Sequence, residues 1–422
     1  MPAFDGTPAA AKPLRSFDVP RHPFLAPNER NSMHNDAYAT DAYATRGPLG
    51  RDMEVSSAWY GALRECATVT FDRRDRLVAM CGGLEGGQLR LIDPDTLDVL
   101  ASHQMPPRRV REGKTPLNDV CIGAYFYLDN NDDAVAATSD QRIMVVGQRN
   151  GPEFTLRRSY DLSAELSDQD CLLALSPDWA GRVWFVTEQA VVGTLDRDTG
   201  SVRTVGIPGE AIVNSFAADE TGGVFVVTDH ALYRMDARPD GTPEITWREP
   251  YDRGSRVKPG QLSRGSGATP TLLGRDLVAI TDNAEPRMHV LVYRRGTDVR
   301  GDRLVCRVPV FEAGQSATEN SMVAAGRSLI VENNYGYTGP ASTMSGKTTA
   351  PGIARVVVGD HGCRLAWTSD EIAPTSVPKV SLGNGLLYVY GKPANDYDPW
   401  YFTAIDVRTG RTAWRRLTGT GP

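Results

Sequence analysis

The chain has 422 residues, a formal net charge of −6, 41% hydrophobic residues, 41 glycines and 28 prolines. The negative balance argues against nucleic acid as a partner, because neutralising phosphates needs a basic surface. No run approaches the roughly 18 apolar residues of a membrane-spanning helix, while the glycine and proline counts suit a turn-rich all-β protein with a real core.

In chain order, Met1 to Pro20 carries no apolar stretch of the kind a secretory signal needs. Residues 1–30, rich in Pro, Ala and charge, are expected to form a flexible arm. The next segment, 31–53, is different in kind. It opens Asn31-Ser32-Met33-His34-Asn35-Asp36 and continues as a tandem Asp-Ala-Tyr-Ala-Thr. Two placements suit it: a strand that closes a ring of repeats, or a segment laid across one end of a channel.

From residue 54 onward one unit recurs. Leu77 to Met80 leads through Gly82 to Gly87 into Leu89 to Asp93, and Val183 to Thr187 leads into Val191 to Asp196. The last copy is the clearest: Leu386 to Tyr390, then Tyr401 to Asp406, then the turn at Thr409-Gly410 and Thr412 to Trp414, with Val380 on an inner strand. Short β-favouring runs between turn residues form antiparallel meanders. Seven copies follow one another at about 40 to 60 residues, the period of a propeller blade. The expected blades are 54–106, 117–162, 168–206, 211–250, 264–312, 316–370 and 376–418, with the longest insertion at Asn333 to Pro351. The fold expected is an all-β, seven-bladed β-propeller over 54–422, or eight blades if the N-terminal segment forms one.

Six scattered cysteines with no C-x-x-C pair suggest buried free thiols and a reducing, cytoplasmic location.

Propeller geometry brings the entries to the innermost strands and the loops between second and third strands to one end of the channel. Carboxylates and amides recur there. Glu319, Asn320, Asn214, Asp170 and Asp282 form a candidate oxygen-only set for a hard cation, most simply Ca²⁺, which takes about six to eight oxygen ligands. Asp119, Asn283, Asn333 and Tyr335 are candidate substrate contacts. His230 beside Asp229 is the first general-base candidate and His34 the second, with Lys379 available to pair an anionic substrate. Short polar residues also cap strand ends and satisfy backbone groups, so each position has a structural alternative.

Ala404-x-Asp406-x-x-Thr409-Gly410-x-x-x-Trp414 resembles the tryptophan-docking motif of quinoprotein-type propellers, with degenerate copies at Leu195 to Thr204, Met235 to Trp247 and Val358 to Trp367. The acid and amide ring is similar in kind to gluconolactonase and paraoxonase propellers, which implies a calcium-class ion and hydrolysis of lactones or esters. The function expected is therefore a metal-assisted hydrolase of a small molecule. A metal-free lyase or isomerase and a non-catalytic binding scaffold are the alternatives.

Overall fold

The second strands of the repeats are the best guide to how the chain packs. Ala134–Ala137, Val183–Thr187, Val224–Val227 and Ser328–Glu332 are buried at every residue. A short, continuously apolar run of this kind has to be covered on both faces. Outermost strands such as Val99–Pro107 and Phe154–Asp161 are mostly exposed or half-exposed instead. The computed structural model describes residues 2–61, 64–114, 121, 123, 125–148, 151–360 and 362–421. Across them seven antiparallel sheets are arranged as a seven-bladed β-propeller, with almost no helix. No helix among the described residues is long and apolar enough to cross a membrane.

Each blade runs outward from the axis in chain order. Aspartates organise its turns. Between third and fourth strands, Asp406 Oδ1 accepts the N–H groups of Arg408 and Thr409 at 2.9 and 3.1 Å, and Asp93 and Asp196 repeat the arrangement. Between first and second strands, Asp72, Asp129, Asp178 and Asp219 do the same, each accepting N–H groups two and four residues on. A side-chain oxygen that holds the backbone locally is the physical content of these Asx turns. The docking motif also performs its expected role. The Trp367 indole of blade 6 donates to Val407 O at 3.0 Å and lies over Gly410 of blade 7. Gly410 has φ 72°, and a Cβ there would fall 2.6 Å from the indole, so the position favours glycine twice over.

Apolar clusters join blades 1 to 2, 2 to 3, 3 to 4, 4 to 5, 5 to 6 and 6 to 7. None joins blade 7 to blade 1 among the described residues. The N-terminal 60 residues occupy that seam and much else.

The arm expected to be flexible is bound along most of its length. Phe4–Gly6 pairs with Thr412–Thr420 as an extra outermost strand of blade 7. The chain then passes over the turn end of the ring: Leu14 N–H donates to Leu382 O in blade 7, Gly326 N–H to Ser16 Oγ in blade 6, Asn130 N–H to Phe24 O in blade 2 and Arg30 to Asp72 O in blade 1. His22 packs against Trp179 of blade 3 on the way. Residues 31–43 then turn into the channel itself. Their carbonyls accept from N–H groups of five blades: Leu128 to Asn31, Ala218 to Ala37, Leu272 to Tyr38, Ala324 to Thr40 and Val380 to Asp41, at 2.7 to 3.1 Å. Ala42–Tyr43 pairs in parallel with Lys379–Ser381, the innermost strand of blade 7. The segment thus lies within the ring along its axis and also adds a strand to the last blade.

The cysteines are corrected by the structure. All six pair, as Cys66–Cys81, Cys121–Cys171 and Cys306–Cys363. The first lies across neighbouring strands of blade 1, the second ties the entry of blade 2 to that of blade 3, and the third joins the outermost strands of blades 5 and 6. Pairing was illegible in the spacing because only the fold brings the partners together, on strands for Cys66–Cys81 and Cys306–Cys363 and at blade entries for Cys121–Cys171. The location argued from free thiols loses its premise. Alkylation of the denatured, unreduced protein is expected to label no cysteine, and reduction to label six while costing about 2 to 5 kcal/mol per bridge in denaturant unfolding. Six labelled cysteines before reduction would contradict the pairing.

Candidate functional site

At the entry end of the channel the axial segment meets blades 2, 6 and 7. Asp41 belongs to the segment and is fully enclosed. Burial pushes its carboxyl up, but the Lys379 ammonium and the His34 ring outweigh it and hold Asp41 below the usual carboxylate range. Lys379 Nζ bonds Asp41 Oδ1 and donates to Met33 O at 2.7 Å. His34 Nδ1 lies 3.2 Å from Asp41 Oδ2. Since the carboxylate only accepts, Nδ1 carries a proton, and in the neutral tautomer Nε2 keeps a lone pair. That Nε2 is buried and has no partner among the described residues. His34 lines a cavity of about 30 Å³ together with Asp36, Tyr125 and Ser215, room for a water or two.

Blade 6 contributes a second group. Glu332 Oε1 accepts from Asn320 Nδ2 and, at 3.2 Å, from Asn334 Nδ2. Asn334 Oδ1 accepts in turn from the Thr318 hydroxyl and the Glu319 N–H at 3.1 and 2.8 Å. Burial pushes the Glu332 carboxyl up to about 8, against the amide hydrogen bonds and the charge of Lys379. Glu319 keeps some contact with solvent, yet its Oε1 is enclosed and burial pushes its carboxyl up to about 8 as well. Glu319 Oε1 and Glu332 Oε2 both lack a partner among the described residues. The two groups adjoin across Tyr125: its ring stacks on His34 at 6.3 Å, and burial, with the charges of Glu319 and Asp41, pushes its hydroxyl up to about 12.

The other candidates are elsewhere. His230 Nδ1 lies 2.8 Å from Asp229, and its Nε2 accepts from Arg253, which also bonds Asp229 at 2.6 Å. A guanidinium has no lone pair to give, so both ring nitrogens of His230 are committed to partners. Asp229 further caps Ala211 N–H. Asp282 is held by His289, at 2.6 Å to its N–H and 2.8 Å to its ring, and Asp170 by the N–H groups of Cys171 and Gln189. Asn214 donates to Ser266 O. Of the five oxygen ligands expected, the structure therefore brings only Glu319 and Asn320 into one cluster. Among the described residues, the group of Cys, His, Asp or Glu ligand atoms that lies within 4.8 Å is Cys121, Cys171 and Glu188, whose sulfurs are spent in a disulfide. Asn283 braces the 251–263 connection through Arg253 O and Arg256 O, and Asn333 braces the long insertion through Gln315 O and Pro351 O. Tyr335 lies half-buried on that insertion, and Asp119 falls outside the described residues.

Glu332, Asp41, Asp36 and Tyr125 were not singled out as site residues by sequence, whereas Asn334 belongs to the polar loop starts expected at this end. Glu332-Asn333-Asn334 ends a strand with three polar residues, Asp36 and Asp41 open the two copies of the tandem Asp-Ala-Tyr-Ala-Thr, and Tyr125 carries no signal.

These buried acids fix a sign for stability against pH. Burial pushes Asp36 up to about 7, like Glu319 and Glu332 at about 8. Between the unfolded values near 4 and these folded ones, the native state holds protons that the unfolded chain has released, so stability falls as pH rises. Chelator-treated protein is expected to lose stability from about pH 5 to 8, by at most about 1.4 kcal/mol per pH unit for each acid. Denaturant midpoints across that range should show the slope, and Glu332→Gln should flatten it. Asp41 acts oppositely, its contribution being lost only on acidification below about pH 4. A flat profile in the parent protein would contradict the burial of these acids.

No protein-family profile matches the chain. An uncharacterised protein of Archaeoglobus fulgidus is 28% identical over 330 residues, covering 69% of this chain and 63% of that one, so the match spans less than two thirds of the relative. Among solved structures, the quinohemoprotein alcohol dehydrogenase of Comamonas testosteroni superposes with TM-score 0.60 at 12% identity, over 96% of this chain and 74% of that one. A europium-containing methanol dehydrogenase gives 0.55 at 12% identity, over 93% and 86%. At such identities the likeness is one of fold: this is a propeller with structural neighbours among the quinoprotein dehydrogenases.

Proposed function

We propose that the protein is a metal-assisted enzyme acting on a small molecule at the entry end of its channel, a hydrolase of lactones or esters with His34 as general base. The observation that carries this reading is His34: its Nδ1 is oriented by Asp41, and its unpartnered Nε2 belongs to a ring that lines a water-sized cavity. A base held by a carboxylate and free on its far nitrogen is the arrangement that activates water. Lys379 keeps Asp41 ionised, and Asp41 keeps the ring in the tautomer that can accept a proton.

The fold neighbours raise two cofactors. A quinone does not fit along the stretch of axis that residues 31–43 occupy, hydrogen-bonded to five blades, and no step is routed through one. A hard cation of calcium class does fit the donor chemistry. The unpartnered oxygens of Glu319 and Glu332, with the side-chain carbonyl of Asn320, are hard oxygen ligands, and two acids that hold protons near pH 8 would release them to a cation. Such an ion would polarise the carbonyl under attack. In the second reading the same two acids shuttle protons without metal, as a lyase or isomerase would require; their elevated values near neutrality favour it. Three disulfides favour an oxidising compartment over the cytoplasm.

The test is a lactone and ester panel on protein purified without chelator, with elemental analysis alongside. About one divalent ion per chain is expected, with activity lost to EDTA. His34→Asn and Glu332→Gln should each lower activity by about 100-fold or more with melting curves intact, and Glu332→Gln should also lower metal content. Activity unchanged in His34→Asn would remove the assigned base. Activity that survives full chelation would transfer the site to the metal-free reading, and none on any substrate would favour a scaffold.

A further inference from the structure

We infer that the seam between blades 7 and 1 is a second ligand site, built for a small aromatic carboxylate. This rests on the seam alone and is independent of the channel reading.

The seam is unlike the other blade junctions. The innermost strands Phe126–Leu128, Ala217–Ala218, Thr271–Leu273 and Val323–Ala325 are buried throughout. The innermost strand of blade 1, Glu65–Phe71, instead leaves Val69 and Phe71 each 41% exposed. Nor is the tryptophan dock completed here. Trp367 and Trp247 donate to carbonyls of the following blade, but Trp414 packs against Gly50 of the N-terminal segment, and its indole N–H is buried without a partner. The chain from Tyr43 to Tyr60 wedges the junction instead of letting the blades meet.

What remains is a cavity of about 270 Å³, walled by Tyr43, Val69, Phe71 and Tyr388. That is roughly nine times the liquid volume of a water, enough for a one- or two-ring molecule, and aromatic walls suit an aromatic guest. Its charged groups decide the other end of the ligand. Glu29 is consumed by the N–H groups of Ala44 and Thr45 and by the Thr45 hydroxyl. Lys379 is consumed by Asp41. Arg46 is exposed, and its guanidinium has no hydrogen bond or ion pair among the described residues. The one uncommitted charge is therefore a cation whose planar fork matches a carboxylate.

The probe is 2-naphthoate, titrated against the full chain by calorimetry, with methyl 2-naphthoate as the neutral control. Saturable one-to-one binding is expected. Arg46→Gln should weaken the carboxylate about tenfold or more and leave the ester unchanged. Val69→Trp, at an exposed position that fills the cleft, should abolish both. Should that variant misfold, Val69→Glu leaves the cleft open and should exclude the carboxylate while still taking the ester. No saturable binding to the parent chain would overturn the site. Carboxylate affinity unchanged in the Val69 variants would place the ligand elsewhere, and carboxylate affinity unchanged in Arg46→Gln would overturn the recognition of an anion.

Discussion

The innermost strand of a propeller blade has one edge with no neighbour, and its N–H groups must find acceptors. Here residues 31–43 supply them: a stretch of the chain's own N-terminus lies in the channel and accepts from five blades. Buried backbone donors without partners are costly, so the ring and the axial segment stabilise each other. Other features follow from that placement. The segment brings His34, Asp36 and Asp41 to the axis, where blade strands alone would have put only their own entries. It also fills axial space that a larger group would need. Because the chain must leave the channel again, it exits between blades 7 and 1 and holds them apart.

The chemistry of the site depends on this too. Lys379 is a blade residue and Asp41 an arm residue, and their pairing is what keeps an enclosed carboxylate ionised beside a histidine. Blade 6 adds two acids that have no ion pair among the described residues, Lys379 acting on Glu332 only through its charge. An ionised carboxylate and two proton-holding carboxyls thus share one channel mouth, separated by environment and not by residue type, which is how one site can hold both an acceptor and donors of protons.

The architecture was legible because it rests on local, repeated signals. Blade-length spacing and β-favouring runs repeat seven times, the Asp-x-x-Thr-Gly turn recurs at Asp196 to Gly200 and Asp406 to Gly410, and Gly410 with Trp367 shows why the docking motif needs those residue types. The axial segment was half legible. The tandem Asp-Ala-Tyr-Ala-Thr marked 31–53 as unlike its surroundings, but nothing local says that the carbonyls of Ala37, Tyr38 and Thr40 meet three different blades. The first 30 residues read as flexible because their contacts are made one blade at a time, with no period of their own. The site was legible only in kind. Polar residues do gather at the entry end, yet Asp170, Asp229 and Asp282 hold loop backbone or a neighbouring histidine, while the acid that shares the cluster of Glu319 and Asn320 is Glu332 at the end of a buried strand. Side chains alike in sequence differ in what they face, and that is decided by packing between blades.

The central claim is that the axial segment closes the inner edges of the blades. Hydrogen exchange at the amides of Leu128, Ala218, Leu272, Ala324 and Val380 tests it most directly, since each donates into residues 31–43. The account predicts that these five exchange as slowly as the buried second strands, near the limit set by global unfolding. Exchange within seconds at these positions, while the second strands stay protected, would mean that the segment does not occupy the channel and would contradict the account.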